Sequence, residues 1–300
     1  MKQTVFCHAM WRTGSTFLFN AFRQSKAYLS FYEPFHEYIG SKRAMARERA
    51  QADDRAQKLR HPTGTGSNFY AFHGQGAQSE IVSLFPREAS VANVLGSPSK
   101  RTMAYLQACQ IYARKENKTA FFGFCRSGLQ MTGANAPIDA THIHLWRDPR
   151  TQFASYEWPN NRYFLPQTIA QIAYSKTLRH HLDPFDTQLT IRERARRASG
   201  YFRFEPLKAY TTRFLEAARP EDCYALFYLV WLVSYQAAQK VAESSISIEE
   251  LSQDTALVAN FEEQFSVSLQ DLDWQSKKAD MFVDYAAIEK RVENSLSQNG

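Results

Sequence analysis

The feature that most constrains the fold of this chain is the alternation of short apolar segments with longer segments of helical periodicity. Four segments rich in β-branched or aromatic residues predict strands, at 4–10, 118–124, 141–146 and 245–248. Helical patterns occur between them, clearest around residues 17–22 and over residues 224–242. Because strands that alternate with helices favour a parallel sheet, the sequence predicts an α/β fold.

Two regions interrupt this alternation. Residues 41–60 are rich in charge and alanine and predict a helix, whereas the glycine-containing residues 61–79 predict a loop. Residues 158–203 contain a dense basic run. We interpret both regions as parts of insertions, at about 41–117 and 157–222, that cover one edge of the sheet. The prediction is therefore a single domain over residues 1–300.

Composition excludes several classes of protein. With 44% hydrophobic and 22% charged residues among 300, the chain is neither disordered nor collagen-like. Four widely separated cysteines argue against a disulfide scaffold or a cysteine-based zinc site. The net charge of +6 favours an anionic partner.

The sequence also bears on location. The longest apolar run, residues 223–233, is too short to cross a bilayer and predicts a buried helix. The first residues lack the pattern of a signal peptide, so the expected location is the cytoplasm, with no transmembrane segment.

The sharpest local signal is the segment 11–16 (WRTGST), which follows the first strand and precedes the first helix. Backbone N–H groups at a helix N-terminus attract anions, and Gly14 lets the backbone approach one closely. Ser15 and Thr16 can cap the helix and donate hydroxyls, and Arg12 offers a planar fork for phosphate or sulfate oxygens. The alternative is an ordinary capped junction. A Walker A loop is disfavoured because its lysine is missing.

A second candidate anion site follows the strand at 141–146. Arg147 ends this strand, and Ser155 comes eight residues later at the start of a possible helix. Such a pair can converge on one phosphate. The alternative is a salt-bridged Arg–Asp turn closed by Pro149.

These segments together resemble the sulfotransferase family in its carbohydrate-sulfotransferase form. Residues 11–17 (WRTGSTF) resemble the family's 5′-phosphosulfate loop, and residues 147–150 (RDPR) with Ser155 resemble its 3′-phosphate signature. Residues 32–34 (YEP) resemble a further element of that subgroup. Residues 246–251 (ISIEEL) resemble the family's Y-E-D-L strand end, with Tyr and Asp replaced by Ile and Glu.

The resemblance implies a P-loop-like three-layer fold with a central parallel sheet and helical insertions on the acceptor side. It also implies an enzyme that moves a sulfuryl group from 3′-phosphoadenosine-5′-phosphosulfate (PAPS) to a hydroxyl or amine by in-line transfer. The expected acceptor is a small molecule or glycan, such as a carbohydrate or glycolipid. Neither a metal ion nor a nucleic-acid partner is expected, and no oligomeric state is implied.

The resemblance also assigns roles to residues. Arg12 is expected to stabilise charge on the phosphosulfate during transfer. The other residues expected to contact the donor in this loop are Thr13, Gly14, Ser15, Thr16 and Phe17. Arg147 and Ser155 are expected to hold the 3′-phosphate.

The acceptor hydroxyl needs a base, and three residues remain open for that role. Glu33 is the first choice by its position in the YEP element, with His36 and Glu37 as alternatives. Imidazole titrates closer to neutral pH, which keeps His36 in consideration. For Glu33 itself, the alternative is an ion pair with a nearby arginine.

Other residues carry weaker predictions. Arg126 either reaches the nucleotide or is structural, and His142 and His144 are interpreted as buried strand histidines rather than metal ligands. Aromatic residues near the loops are candidates for stacking on adenine or a sugar: Trp11, Phe35 and Tyr70.

Two other functions stay open at this point. One is a non-catalytic protein that binds nucleotides or polyanions through the same loop. The other is an ATP-dependent phosphotransferase, which the missing Walker lysine disfavours.

Overall fold

The computed structural model describes residues 3–50, 67–73, 77–90, 98–125, 138–157, 164–175, 177–188, 215–216, 218–269 and 284–299. The strands are β1 (Thr4–His8), β2 (Tyr28–Tyr32), β3 (Thr119–Phe124), β4 (Ala140–Trp146) and β5 (Ser244–Ser247). The helices are α1 (Ser15–Gln24), α2 (Lys42–Ala50), α3 (Ala77–Ser83), α4 (Lys100–Lys115), α5 (Pro149–Tyr156), α6 (Phe164–Tyr174), α7 (Pro220–Gln239), α8 (Ile248–Gln253), α9 (Thr255–Phe265) and α10 (Tyr285–Asn299). Short 3₁₀ helices occur at Tyr70–Phe72, Arg87–Ser90 and Arg179–Gln188.

The five strands form one sheet in the order β2-β3-β1-β4-β5, and every neighbouring pair is parallel. At the end of β1, His8 is in register with Phe124 of β3 and with His144 of β4. The carboxyl ends of all five strands therefore lie along one edge of the sheet. The loops that follow the strands begin at this edge.

The strand order creates a topological switch point between β1 and β4. From β1 the chain continues to β2 on one side of the sheet, and from β4 it continues to β5 on the other side. In open parallel sheets, ligands bind in the crevice outside the carboxyl ends of the strands at such a point. The loop after β1 and the residue after β4 border this crevice.

Helices cover both faces of the sheet, and the central strands β1 and β3 are buried on both sides. On one face, α1 and α9 pack against Val5 and Cys7 of β1. There Phe22 stacks on Phe121 with ring centroids 3.9 Å apart. Burial of an aromatic side chain of this size stabilises the fold by roughly 1.5–3 kcal/mol.

The other face carries a second core built around Phe6 and Phe122. The helix that connects β2 to β3, α4, contributes Leu106 to it, and the segment before α4 contributes Met45 and Phe72. Part of the region 41–117 therefore forms a layer on the sheet face, where the sequence predicted a cover for its edge.

The described backbone divides into two compact units. The first contains the sheet and comprises residues 1–90, 96–147 and 237–275, and the second comprises residues 91–95, 148–236 and 276–300. In the second unit, Arg150 makes two hydrogen bonds of 2.9 and 2.8 Å to the carboxylate of Glu289. The buried Tyr224 hydroxyl donates to the same carboxylate at 2.6 Å, which fixes α10 to α5 and α7.

The predicted α/β fold with a central parallel sheet is confirmed, and four of its strands coincide with predicted segments. The prediction missed β2 entirely. It also extended β5 too far, because Ile248 already begins α8, and it placed residues 77–79 in a loop although they begin α3. The predictions over 51–66 and for the basic run at 192–197 lie outside the described residues.

Within the part of the chain that the structure describes, no helix has both the length and the apolar character needed to span a membrane.

Candidate functional site

The loop after β1 is held by backbone and side-chain hydrogen bonds at its base. The Ala9 N–H donates to the carbonyl of Phe124 at 3.0 Å, which extends the pairing of β1 with β3. The buried Thr13 hydroxyl donates to the carbonyl of Met10 at 2.8 Å, which closes the loop on itself. The Thr13 side chain thus stabilises the loop. Because its hydroxyl proton is already donated to Met10, only the backbone N–H of Thr13 could donate to a ligand.

Two residues of this loop have left-handed backbone conformations. Gly14 has φ 91° and ψ 7°, and Arg12 has φ 66°. Glycine adopts positive φ without steric cost, whereas a residue with a side chain is strained there. Strain at a non-glycine residue persists only where the surrounding structure imposes it, and it is concentrated at functional sites.

Gly14 is the N-cap of α1, and this corrects the prediction that Ser15 and Thr16 cap the helix. The Gly14 carbonyl accepts from the N–H groups of Phe17 and Leu18, and no side chain caps the helix. Ser15 and Thr16 instead form the first turn itself. Their N–H groups have no partner within the helix, which leaves the donors of this turn available to an anion.

The hydroxyls of the first turn connect α1 to neighbouring strands. Ser15 Oγ lies 3.2 Å from Cys125 Sγ at the end of β3, and Thr16 Oγ1 lies 3.5 Å from the Tyr32 hydroxyl at the end of β2. Phe17 packs, partly buried, against the core between α1 and the sheet. The predicted loop residues therefore lie together at the carboxyl edge.

Arg147 lies directly after β4, and its buried side chain reaches the β1 loop. Its Nη1 donates to the backbone carbonyl of Arg12 at 3.3 Å, and its Nε lies 3.5 Å from Oε1 of Glu249. A buried guanidinium needs such partners because an unpaired charge is costly away from water. The two predicted anion-binding segments, 135 residues apart in the sequence, are thus in direct contact.

Glu33 follows β2 in a turn that is fixed on both sides. Its N–H donates to the carbonyl of Gly123 at 2.9 Å, and its carbonyl accepts from the N–H of His36 at 2.7 Å. The next residue, Pro34, accepts a 2.8 Å hydrogen bond from the buried Tyr105 hydroxyl. Glu33 is itself buried and has φ 36°, so its backbone is strained like that of Arg12.

His36 is less suited to the role of base because one of its ring nitrogens is engaged by the backbone. The Tyr38 N–H donates to its Nδ1 at 3.2 Å, so the lone pair of that nitrogen is engaged. Glu37 Oε2 also lies 3.5 Å from Nδ1, but that contact would need a proton on the same nitrogen. We favour the shorter bond, which leaves the proton of the neutral imidazole on Nε2.

Ser155 lies in the second unit as the penultimate residue of α5, which corrects the prediction that it begins a helix: the helix already begins at Pro149, directly after its cap Asp148. This helix is capped by Asp148, whose Oδ1 accepts from the Thr151 N–H at 2.9 Å. The predicted pairing of Ser155 with Arg147 around a 3′-phosphate stays a prediction. Arg126 lies outside the described residues.

Two of the aromatic candidates for stacking on a ligand pack against other residues of the protein. Phe35 is a core residue whose ring centroid lies 5.5 Å from that of Phe124. The Tyr70 ring lies under the Arg23 guanidinium, and its hydroxyl accepts from the Ser30 N–H. Trp11 is also buried.

The histidines of β4 form hydrogen bonds within the sheet. His142 Nδ1 lies 2.9 Å from Nε2 of His8, and His144 Nδ1 lies 2.9 Å from the Ser245 hydroxyl. Burial lowers the pKa of both strand histidines, that of His144 to about 4. Among the described residues, no group of three or more His, Cys, Asp or Glu side chains is arranged to hold a metal ion.

Sequence reasoning missed two members of this site, Glu249 and Tyr32. Glu249 comes directly after β5, and parallel strands deliver such residues to the same edge as Arg147. The resemblance at residues 246–251 already included Glu249. Its position next to Arg147 depends on the order of the strands in the sheet, which the sequence did not reveal. Tyr32 stood beside Glu33 in the YEP element without an assigned role.

No protein-family model matches the chain, and no curated protein or solved structure matches it either.

Proposed function

We propose that the protein is a PAPS-dependent sulfotransferase with a P-loop-like fold. The observation that carries the proposal is the contact between Arg147 and the carbonyl of Arg12 at the switch point between β1 and β4. One doubly phosphorylated adenosine can then lie across both segments. The 5′-phosphosulfate would be held by the β1 loop and the first turn of α1, and the 3′-phosphate by Arg147.

Electrostatics supports this assignment. The Arg12 carbonyl is a partial negative charge that would repel an anionic donor, and the Arg147 guanidinium offsets it. The N-terminus of α1 adds partial positive charge, and Gly14 leaves its first turn without a side-chain cap. The loop is therefore arranged for an anion before any ligand arrives.

The transfer itself requires positioning and charge stabilisation more than covalent chemistry. The bond between sulfur and the 5′-phosphate oxygen breaks as the acceptor oxygen bonds to sulfur, and charge accumulates on the departing phosphate. Arg12 and the N–H groups of the first turn of α1 would stabilise that charge. Loss of a preorganised donor of this kind costs about 10²–10³ in rate.

We assign the base to Glu33, which would take the proton of the acceptor hydroxyl as the new bond forms. Its turn is anchored to β3 and α4, so its backbone is held rigidly. The contact between Thr16 and Tyr32 connects this strand end to the phosphosulfate loop. Strands β2 and β1 are separated only by β3, which puts the two strand ends about 10 Å apart.

The surface after Glu33 favours an anionic acceptor, such as an acidic glycan. Helix α2 exposes Lys42, Arg43, Arg47 and Arg49 to solvent. The single carboxylate of this helix, Glu48, is buried and accepts a hydrogen bond from Ser67. The charged side chains that α2 exposes are therefore all cationic and would attract a polyanion.

A calorimetric titration tests the donor assignment. We expect 3′-phosphoadenosine-5′-phosphate (PAP) to bind and ADP or ATP to bind much more weakly, because they lack the 3′-phosphate that Arg147 would hold. Equal binding of all three nucleotides would contradict the proposal, and preference for ATP with magnesium would favour a phosphotransferase.

Release of labelled sulfate from PAPS, with water as the acceptor, tests the chemistry. We expect Glu33→Gln to lower this rate by about 10²-fold or more while PAP affinity is retained. Tight PAP binding by the unaltered protein with no sulfate transfer, either to water or to added carbohydrate hydroxyl acceptors, would instead indicate a non-catalytic nucleotide-binding protein.

A further inference from the structure

Glu249 lies at the carboxyl edge of the sheet, directly after β5, and its carboxylate faces the Arg147 guanidinium. We propose that Glu249 is a positioning residue that orients Arg147 for recognition of a 3′-phosphate. The inference rests on the proposed function, since it concerns how the donor nucleotide is selected.

A chain of hydrogen bonds and one ion pair carries the inference. The Ser247 hydroxyl donates to Oε2 of Glu249 at 3.1 Å, and Oε1 of the same carboxylate lies 3.5 Å from Arg147 Nε. On its other side, Arg147 Nη1 donates to the carbonyl of Arg12. The planar guanidinium is thereby held at two of its nitrogens, from β5 and from the β1 loop, which fixes the direction of its fork.

Helix capping does not explain why Glu249 is present. The cap of α8 is a reciprocal pair in which the Ser247 hydroxyl accepts from the Glu250 N–H, and the Glu250 carboxylate accepts from the Ser247 N–H, each at 3.2 Å. Glu250 therefore completes the capping box. Glu249 is left to face Arg147.

A positioning role and a simple counter-charge role predict opposite effects. The Glu249 carboxylate is negative, so its removal raises the positive potential near Arg147, and by Coulomb's law alone an anion would then bind more tightly. If the carboxylate orients the fork, its removal lets Arg147 turn away and the anion binds less tightly. The sign of the change therefore separates the two roles.

The experiment compares the affinities of PAP and AMP, which differ by the 3′-phosphate, in the full-length protein. For Glu249→Ala we expect the preference for PAP over AMP to fall about tenfold, the loss typical when a group that orients a ligand-binding residue is removed. For Glu249→Gln we expect the preference to be kept, because glutamine keeps the length of the side chain and places an amide oxygen, itself a hydrogen-bond acceptor, in the position of Oε1. Glu250→Ala is the matched control, expected to lower stability through the lost cap but to keep the preference.

The outcomes separate this inference from the proposed function. The positioning role is overturned if Glu249→Ala keeps or increases the preference for PAP over AMP. It is also overturned if this preference increases to the same extent in Glu249→Ala and Glu249→Gln. If Glu249→Ala does not fold, Glu249→Asp serves as the test. Aspartate keeps the negative charge, but its side chain is one methylene shorter and the carboxylate lies farther from Arg147. We expect this variant also to lower the preference for PAP over AMP. If the unaltered protein does not prefer PAP, the proposed function fails and this inference fails with it.

Discussion

Replacement of Gly14 by alanine tests the backbone geometry on which the anion site depends. Gly14 has φ 91°, where an L-residue places its Cβ too close to neighbouring backbone. A left-handed conformation costs a non-glycine residue roughly 1–2 kcal/mol. We therefore expect Gly14→Ala to lower the free energy of unfolding by about this amount, which is about a 5–30-fold change in the ratio of folded to unfolded protein.

Urea denaturation followed by tryptophan fluorescence measures this change, since the buried Trp11 lies in the loop itself. Gly14→Asn is the matched control, because asparagine tolerates the left-handed region better than alanine does. We expect it to retain more stability than Gly14→Ala. Equal stability of Gly14→Ala and the unaltered protein, or lower stability of Gly14→Asn than of Gly14→Ala, would refute the reasoning.

Two further predictions concern pH and charge. Burial lowers the pKa of His144 to about 4, whereas in the unfolded chain it lies near 6.5. Between these two pKa values the unfolded state binds more protons than the folded state, so the free energy of unfolding falls as the pH drops, by up to about 3 kcal/mol. We expect His144→Gln to reduce the difference in the free energy of unfolding between pH 5 and pH 7, measured by urea titration. On α2, we expect the charge reversal Arg43→Glu with Arg47→Glu to weaken binding of a chondroitin chain by about tenfold and to reduce its salt dependence, without changing PAP affinity.

An unaltered pH dependence of stability in His144→Gln would contradict burial of His144 as the cause. The exposed basic pair at the end of α4 controls for net charge. If reversal of Arg114 and Lys115 weakens chondroitin binding as much as reversal on α2 does, the acceptor does not bind at α2.

The central strands were predictable because their composition is distinctive. β1 and β3 are buried on both faces and are rich in β-branched and aromatic residues, and β4 buries Ile143 and Leu145 in the core. β2 (YLSFY) was missed because Ser30 interrupts a short apolar segment. In the structure this segment pairs with β3, and the Ser30 N–H donates to the Tyr70 hydroxyl. Its stability is tertiary, and single-sequence patterns do not report tertiary packing.

The site was predictable where one segment carries its own chemistry and unpredictable where distant segments combine. The β1 loop and Arg147 were each visible as local motifs. Their contact and the role of Glu249 depend on the strand order β2-β3-β1-β4-β5, which no local pattern specifies. The capping of α1 was mispredicted because Ser15 and Thr16 match a capping pattern, whereas the positive φ of Gly14 moved the cap one residue earlier.

A crystal structure of the protein soaked or grown with PAP tests the central claim most directly. We expect one PAP molecule whose 5′-phosphate contacts the loop at Arg12 and the first turn of α1, and whose 3′-phosphate contacts Arg147. A nucleotide bound elsewhere, or one that contacts only a single one of these two segments, would contradict it.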